Sequence, residues 1–129
     1  MLPTFDIPPI GPKQGKVWGN TQLVFARNDV EAHAIVVNRG GYCSRHKHWS
    51  KWNRFIVLCG KLVVRTFEQG ESKFMEDETT LTAGQITDVP PGTLHEFQAL
   101  EDCVAIEMYW VELDPRDIER QTVGGIADG

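Results

Sequence analysis

Two histidines one residue apart, His46 and His48, constrain this chain more than any other feature. They lie in the stretch Gly40 to Gly60, GGYCSRHKHWSKWNRFIVLCG. On an extended strand side chains alternate faces, so residues i and i+2 project to the same side. Two imidazoles on one face repel each other when protonated and share a cation well when neutral. A metal ion is the commonest reason to place them so.

The rest of the chain has the texture that such a placement needs. From Val17 onward, short β-rich runs follow one another: Val17-Trp18, Leu23-Val24-Phe25, and Ala32 to Val37. Turn signals at Gly19-Asn20, Asn28-Asp29 and Arg39-Gly40-Gly41 separate them. Phe55–Leu58 and Leu62–Phe67 flank Gly60-Lys61 and read as a hairpin. A weaker strand is expected near Lys73–Met75, and Glu76-Asp77-Glu78 reads as a solvated loop, because three adjacent carboxylates on an extended chain cannot face one point. Ile86–Val89 leads into a Pro-Pro-Gly turn that delivers His95 at the start of a strand, and Cys103 to Leu113 is the longest β-type run. Many short strands without a strong helical period predict an all-β sandwich or barrel. Asp114 to Arg120 reads as one short helix, with Asp114 as N-cap and Pro115 at the first helical position.

With 129 residues the chain is long enough for one domain that buries roughly two-thirds of its unfolded surface. The expected division is a Pro-rich arm at 1–16, a barrel at 17–113, and a helix with its tail at 114–129. A net charge of -5 with interspersed signs argues against a nucleic-acid partner. No stretch has the composition of a signal peptide or the length of a membrane span, so no membrane partner is expected. Three cysteines, Cys43, Cys59 and Cys103, without CxxC spacing, fit a reduced, cytoplasmic setting.

A second stretch answers the first. Gly84 to His95 reads G-x5-P-x-G-x2-H, and Gly40 to Gly60 reads G-x5-H-x-H, closing on a glycine. Together they resemble the two motifs of the cupin superfamily, over roughly Gly40 to Ala99, about half of the chain. The resemblance implies a double-stranded β-helix, or jelly-roll barrel, with a metal site built from His46, His48 and His95. Two positions depart from the pattern: Asn53 stands where the first motif has glutamate, and Ala99 where the second has asparagine. Asn53 is therefore a neutral substitute for the fourth ligand, weaker than a carboxylate. The resemblance also implies a divalent ion (zinc, iron, nickel or manganese), a small-molecule ligand and a homodimer. The segment from Glu107 into Asp117-Ile118-Glu119-Arg120 further resembles small sugar-processing cupins of the phosphomannose-isomerase type.

Three neutral imidazoles leave positions open on the ion, as catalytic sites do. Without the glutamate the ion keeps its full charge, which favours an anionic or carbohydrate-like ligand. Three activities fit: metal-dependent isomerisation or epimerisation of a small polar substrate, an iron dioxygenase, and a non-catalytic binding cupin. For the isomerase, Glu107 and Tyr109 are the candidate acid–base pair. They share one alternating face of the late strand with Cys103 and Ala105, and that polar face either lines the cavity or is solvated. Glu96 should face away from the interior if His95 faces inward. Trp49 and Trp52 read as packing at the barrel mouth or a subunit contact, Cys43 as packing, and His33, with nothing at ligand spacing around it, as structural.

Overall fold

The computed structural model describes residues 1–4, 11–68, 75–112, 116–117 and 119–127. Among the described residues, seven strands account for the regular structure: β1 (Lys13–Lys16), β2 (Gly19–Arg27), β3 (Val30–Val37), β4 (Trp52–Phe67), β5 (Met75–Thr82), β6 (Ile86–Val89) and β7 (Leu94–Trp110). All pairings are antiparallel, in the order β1-β2-β3-β7-β4-β5, with β6 on the free side of β4. Strand β1 lies inside the stretch expected to be an arm and pairs with β2.

The fold turns on β4 and β7, which pair along nearly their whole length and bend together. The first half of β4 lies between β6 and the second half of β7. Its second half lies between β5 and the first half of β7. One strand pair thus serves two sheets, which face each other across the core. Ile35, Phe55 and Ala105 from one sheet pack in one cluster with Leu62, Val64 and Phe97 from the other. The segment before the His46-His48 pair runs beside β7, with Cys43 N donating to Phe97 O (3.2 Å) and paired bonds between His46 and His95 (3.0 and 2.8 Å).

Three expectations are corrected. The hairpin at Gly60-Lys61 does not exist: residues 52–67 are one strand, and the glycine sits in a run of register shifts where the strand bends. Gly60 has φ +83°, and a Cβ there would collide with the Asp102 carbonyl oxygen of β7. The glycine permits a close strand crossing rather than a turn. Glu76-Asp77-Glu78 is solvent-exposed as expected, but in strand β5 and not in a loop; Glu78 accepts from Arg65 Nε at 3.0 Å. The helix at Asp114–Arg120 is not seen. Of that stretch, 114, 115 and 118 lie outside the described residues, and Arg116, Asp117, Glu119 and Arg120 are exposed and non-helical. So short a helix needs an apolar face buried against something to offset its nucleation cost, and none of the described residues of this stretch is buried. The strand expected at Lys73–Met75 falls mostly outside the described residues, with Met75 opening β5.

Candidate metal centre and cavity

The three motif histidines come together. One ligand atom from each of His46, His48 and His95 lies within 4.8 Å of the others, and the ring centroids are 4.6 to 5.6 Å apart. Around a zinc ion with bonds of about 2.1 Å, neighbouring ligand nitrogens sit roughly 3.4 Å apart, a spacing that falls inside this limit. The sequence places them through two local devices. The i, i+2 spacing puts His46 and His48 on one face, and the Pro90–Gly92 turn, whose Gly92 N donates to His48 O at 2.7 Å, brings His95 alongside.

The hydrogen bonds around the rings select their tautomers. His46 Nδ1 donates to Ser44 O at 2.7 Å, and His95 Nδ1 donates to Thr93 O at 2.8 Å. A carbonyl only accepts, so each Nδ1 carries the proton and each Nε2 presents a lone pair. His48 Nε2 is buried with no hydrogen-bond partner. A buried polar nitrogen without a partner is costly unless something else occupies its lone pair.

Asn53 completes the pattern. It is fully buried, and its Nδ2 donates to Met108 O at 3.3 Å and also reaches Glu107. Those two acceptors orient the amide, leaving Oδ1 3.2 Å from His95 Nε2. With the His95 proton held at Nδ1, that approach sets two lone pairs side by side, which a cation relieves and a hydrogen bond does not. The donor set therefore fits a divalent ion: three imidazole nitrogens, with an amide oxygen beside them.

Burial, followed by the neighbouring His46, His95 and Lys51, pulls the His48 pKa down to about 4. Burial also lowers that of His95, against the partial opposition of its bond to Thr93. Both rings are thereby held neutral, the form that binds metal.

The alternation in β7 is resolved in favour of the interior. Glu107 is buried, and Glu107 and Tyr109 line a half-open cavity of about 710 Å³ together with His46 and His33. The solvated-face alternative is thus excluded. Burial raises the Glu107 pKa, while hydrogen bonds from Tyr109 and Asn53 and the nearby His33 act the other way. Burial and the adjacent Glu107 charge push the Tyr109 pKa above the usual phenol range. The carboxylate that is absent at position 53 is thus present one contact away, at Glu107.

His33 lies beside these groups. It pairs in register with Glu107 across β3 and β7, stacks edge-on against Tyr109 (5.8 Å) and faces the same cavity. Trp18, Tyr42 and Lys16 also line the cavity and carried no motif at all. For Glu96 and Cys43 the expectations hold. Glu96 faces outward toward Arg45 (3.7 Å) and Arg65 (3.9 Å). Cys43 is buried and accepts from Phe97 N at 3.2 Å, and burial drives its pKa up to about 12, as befits packing and not a nucleophile. Trp49 is exposed beneath Lys47 Nζ (4.4 Å), and Trp52 stacks on Trp110 at 6.0 Å, away from the cavity.

No family model matches the chain, and no curated protein matches it. Solved structures do. An RmlC-like cupin from Shewanella frigidimarina superposes with a TM-score of 0.68 at 18% identity, over 90% of this chain and 95% of that one. KdgF from a Halomonas species gives a TM-score of 0.66 at 21% identity, over 79% and 89%. The capsular polysaccharide assembling protein CapF of Staphylococcus aureus gives 0.66 at 22%, over 90% of this chain and 35% of that one. Together with the two-sheet architecture, these likenesses establish that the chain is a small protein of the cupin fold.

Proposed function

We propose that the chain is a metal-dependent enzyme that moves a proton on a small polar substrate, by isomerisation or epimerisation. The observation that carries this reading is the juxtaposition of two groups. Three imidazoles, two of them tied by backbone carbonyls and one with an orphaned Nε2, meet beside the cavity, which His46 alone of the three lines. A buried glutamate with a tyrosine hydrogen-bonded to it stands beside them.

His46, His48 and His95 would hold the ion, with Asn53 Oδ1 at the rim. When bound, the ion supplies Lewis acidity toward a carbonyl oxygen and attraction for an anionic group. For isomerisation, Glu107 would take the proton from the carbon next to that carbonyl and return it on the same face to the former carbonyl carbon, while the hydroxyl proton passes between the two oxygens. For epimerisation, solvent would give a proton on the opposite face and Glu107 would release its own to solvent. Desolvation makes its carboxylate a stronger base than an exposed one, and the Tyr109 hydroxyl donates to it to hold its orientation. Lys16 at the cavity wall adds a positive charge suited to a carboxylated substrate. A carbohydrate-like substrate is in keeping with the likeness to CapF, whose own name places it in capsular polysaccharide assembly.

The test is proton exchange. Metal-loaded protein incubated in D₂O with a panel of sugar acids and keto sugars should incorporate deuterium beside the carbonyl of its substrate. Glu107→Gln should lose that exchange by on the order of 10²-fold or more while retaining the ion. Oxygen consumption with ferrous protein would replace this reading with the dioxygenase. Saturable ligand binding without exchange or oxygen uptake would replace it with a binding cupin.

A further inference from the structure

Strands β3 and β7 carry a two-by-two block of polar side chains on one face. Glu31 pairs in register with Tyr109, and His33 with Glu107. Residues two apart on a strand share a face, and directly opposed residues have Cβ atoms about 4.5–5.5 Å apart. The block is graded in burial: Glu107 is buried, while the His33 and Glu31 side chains are 23% and 47% exposed. His33 touches the other three members. Its Nε2 lies 3.5 Å from Glu31 Oε2, its ring meets Tyr109 edge-on at 5.8 Å, and it acts electrostatically on Glu107. The block also joins two hollows. His33, Glu107 and Tyr109 line the large cavity, and Glu31 and Tyr109 line a second one of about 260 Å³ beside Asp29 and Lys51.

A buried base must lose the proton it has taken. Isomerisation hands that proton back to the substrate, but epimerisation leaves it on Glu107, and the next turnover requires a way out. The hydrogen-bond partners of Glu107 are Tyr109 and Asn53. An amide does not take up and release protons in the working range of a protein, and a phenol does so poorly. An imidazole accepts at one nitrogen while it releases from the other. We infer that His33 is the proton relay of this site, carrying the proton from Glu107 past Tyr109 to Glu31 and the second hollow. Only protons move. The Glu107 O–H bond breaks as an N–H bond forms on one ring nitrogen. The other ring nitrogen gives its proton to the Glu31 carboxylate, which passes it to solvent, and Glu107 is left ionised. The reverse path resets the ring. The inference rests on the proton-moving reading proposed above and supplies what its epimerisation branch requires.

Two measurements test it, the first without any substrate. In the zinc-loaded full chain, the Tyr109 hydroxyl proton exchanges with water by way of Glu107 and His33, and NMR reads the rate. His33→Gln should slow that exchange by about tenfold or more. Imidazole added to His33→Ala should restore it. Pyrrole, a ring of the same size that does not take up a proton, should not. The second measurement follows label in dihydroxyacetone and D-fructose deuterated beside the carbonyl. Wild type should lose the deuterium to water, whereas His33→Gln should retain it in the isomerised product. A role confined to packing would change the rate of conversion without moving that partition. If neither probe is converted, the proton-moving reading fails for keto sugars, and the hydroxyl exchange alone decides the relay. An exchange rate unchanged in His33→Gln, restoration by pyrrole as well as imidazole, or equal loss of label in both proteins overturns the inference.

Discussion

His48 is where the chemistry of single residues is most exposed to test. Its ordinary pKa of 6.5 falls to about 4 in the folded chain, through burial and the rings beside it, and that of His95 moves the same way. As pH drops below about 6.5, the unfolded chain takes up protons on these rings while the folded chain does not. Stability is therefore fully present above about pH 6.5 and is lost progressively as pH falls toward 4. Metal-free protein, melted at a series of pH values across that window, should show a falling midpoint. His48→Gln should show a shallower fall, because one of the rings responsible is gone. A pH-independent midpoint in the wild type would contradict the neutral, buried ligand set. The ligands themselves were legible in sequence, since His-x-His and Pro-x-Gly-x2-His spacings fix three residues in one region. His33 was not, because its partner Glu107 is 74 positions away and only the β3–β7 register brings them together. Glu107 and Tyr109 were legible as a pair on one face, yet alternation alone does not say which face is inward. Here the usual polarity is inverted: this end of the barrel interior is a polar cavity, and the outer side of the same strand is apolar.

At the scale of elements, the bend in β4 and β7 holds the two sheets over one site. Gly60 sits at that bend with φ +83° against the Asp102 backbone. Gly60→Ala should destabilise the fold by about 1–3 kcal/mol from the dihedral alone, and by more from the collision with β7. Chemical denaturation measures this, and a change under about 0.5 kcal/mol, the size of an ordinary surface substitution, would contradict the crossing described. The same glycine explains why the strands were read too short. Gly-Lys between two β-rich runs has the composition of a hairpin turn, and local composition does not distinguish a reversal from a bulge in a continuing strand. The C-terminal helix was misread for a related reason. Asp114-Pro115 supplies a good start signal, but the described residues of the stretch, Arg116, Asp117, Glu119 and Arg120, are all exposed and offer no burial to offset the nucleation cost.

At the scale of the whole molecule, the barrel is a frame that holds three neutral imidazoles together at a cost that an ion removes. An ion that binds the folded chain alone also stabilises it by mass action. The most direct measurement is a titration of metal-free protein with Co(II), whose visible spectrum reports coordination, followed by metal analysis of the separated complex. The wild type should saturate at one ion per chain with nitrogen-ligated bands. His48→Ala should lose at least about tenfold in affinity, equivalent to about 1.4 kcal/mol, and His33→Ala should retain the wild-type affinity. Absence of saturable binding, or a His48→Ala chain that binds as the wild type does, would contradict the metal centre on which the proposed chemistry rests.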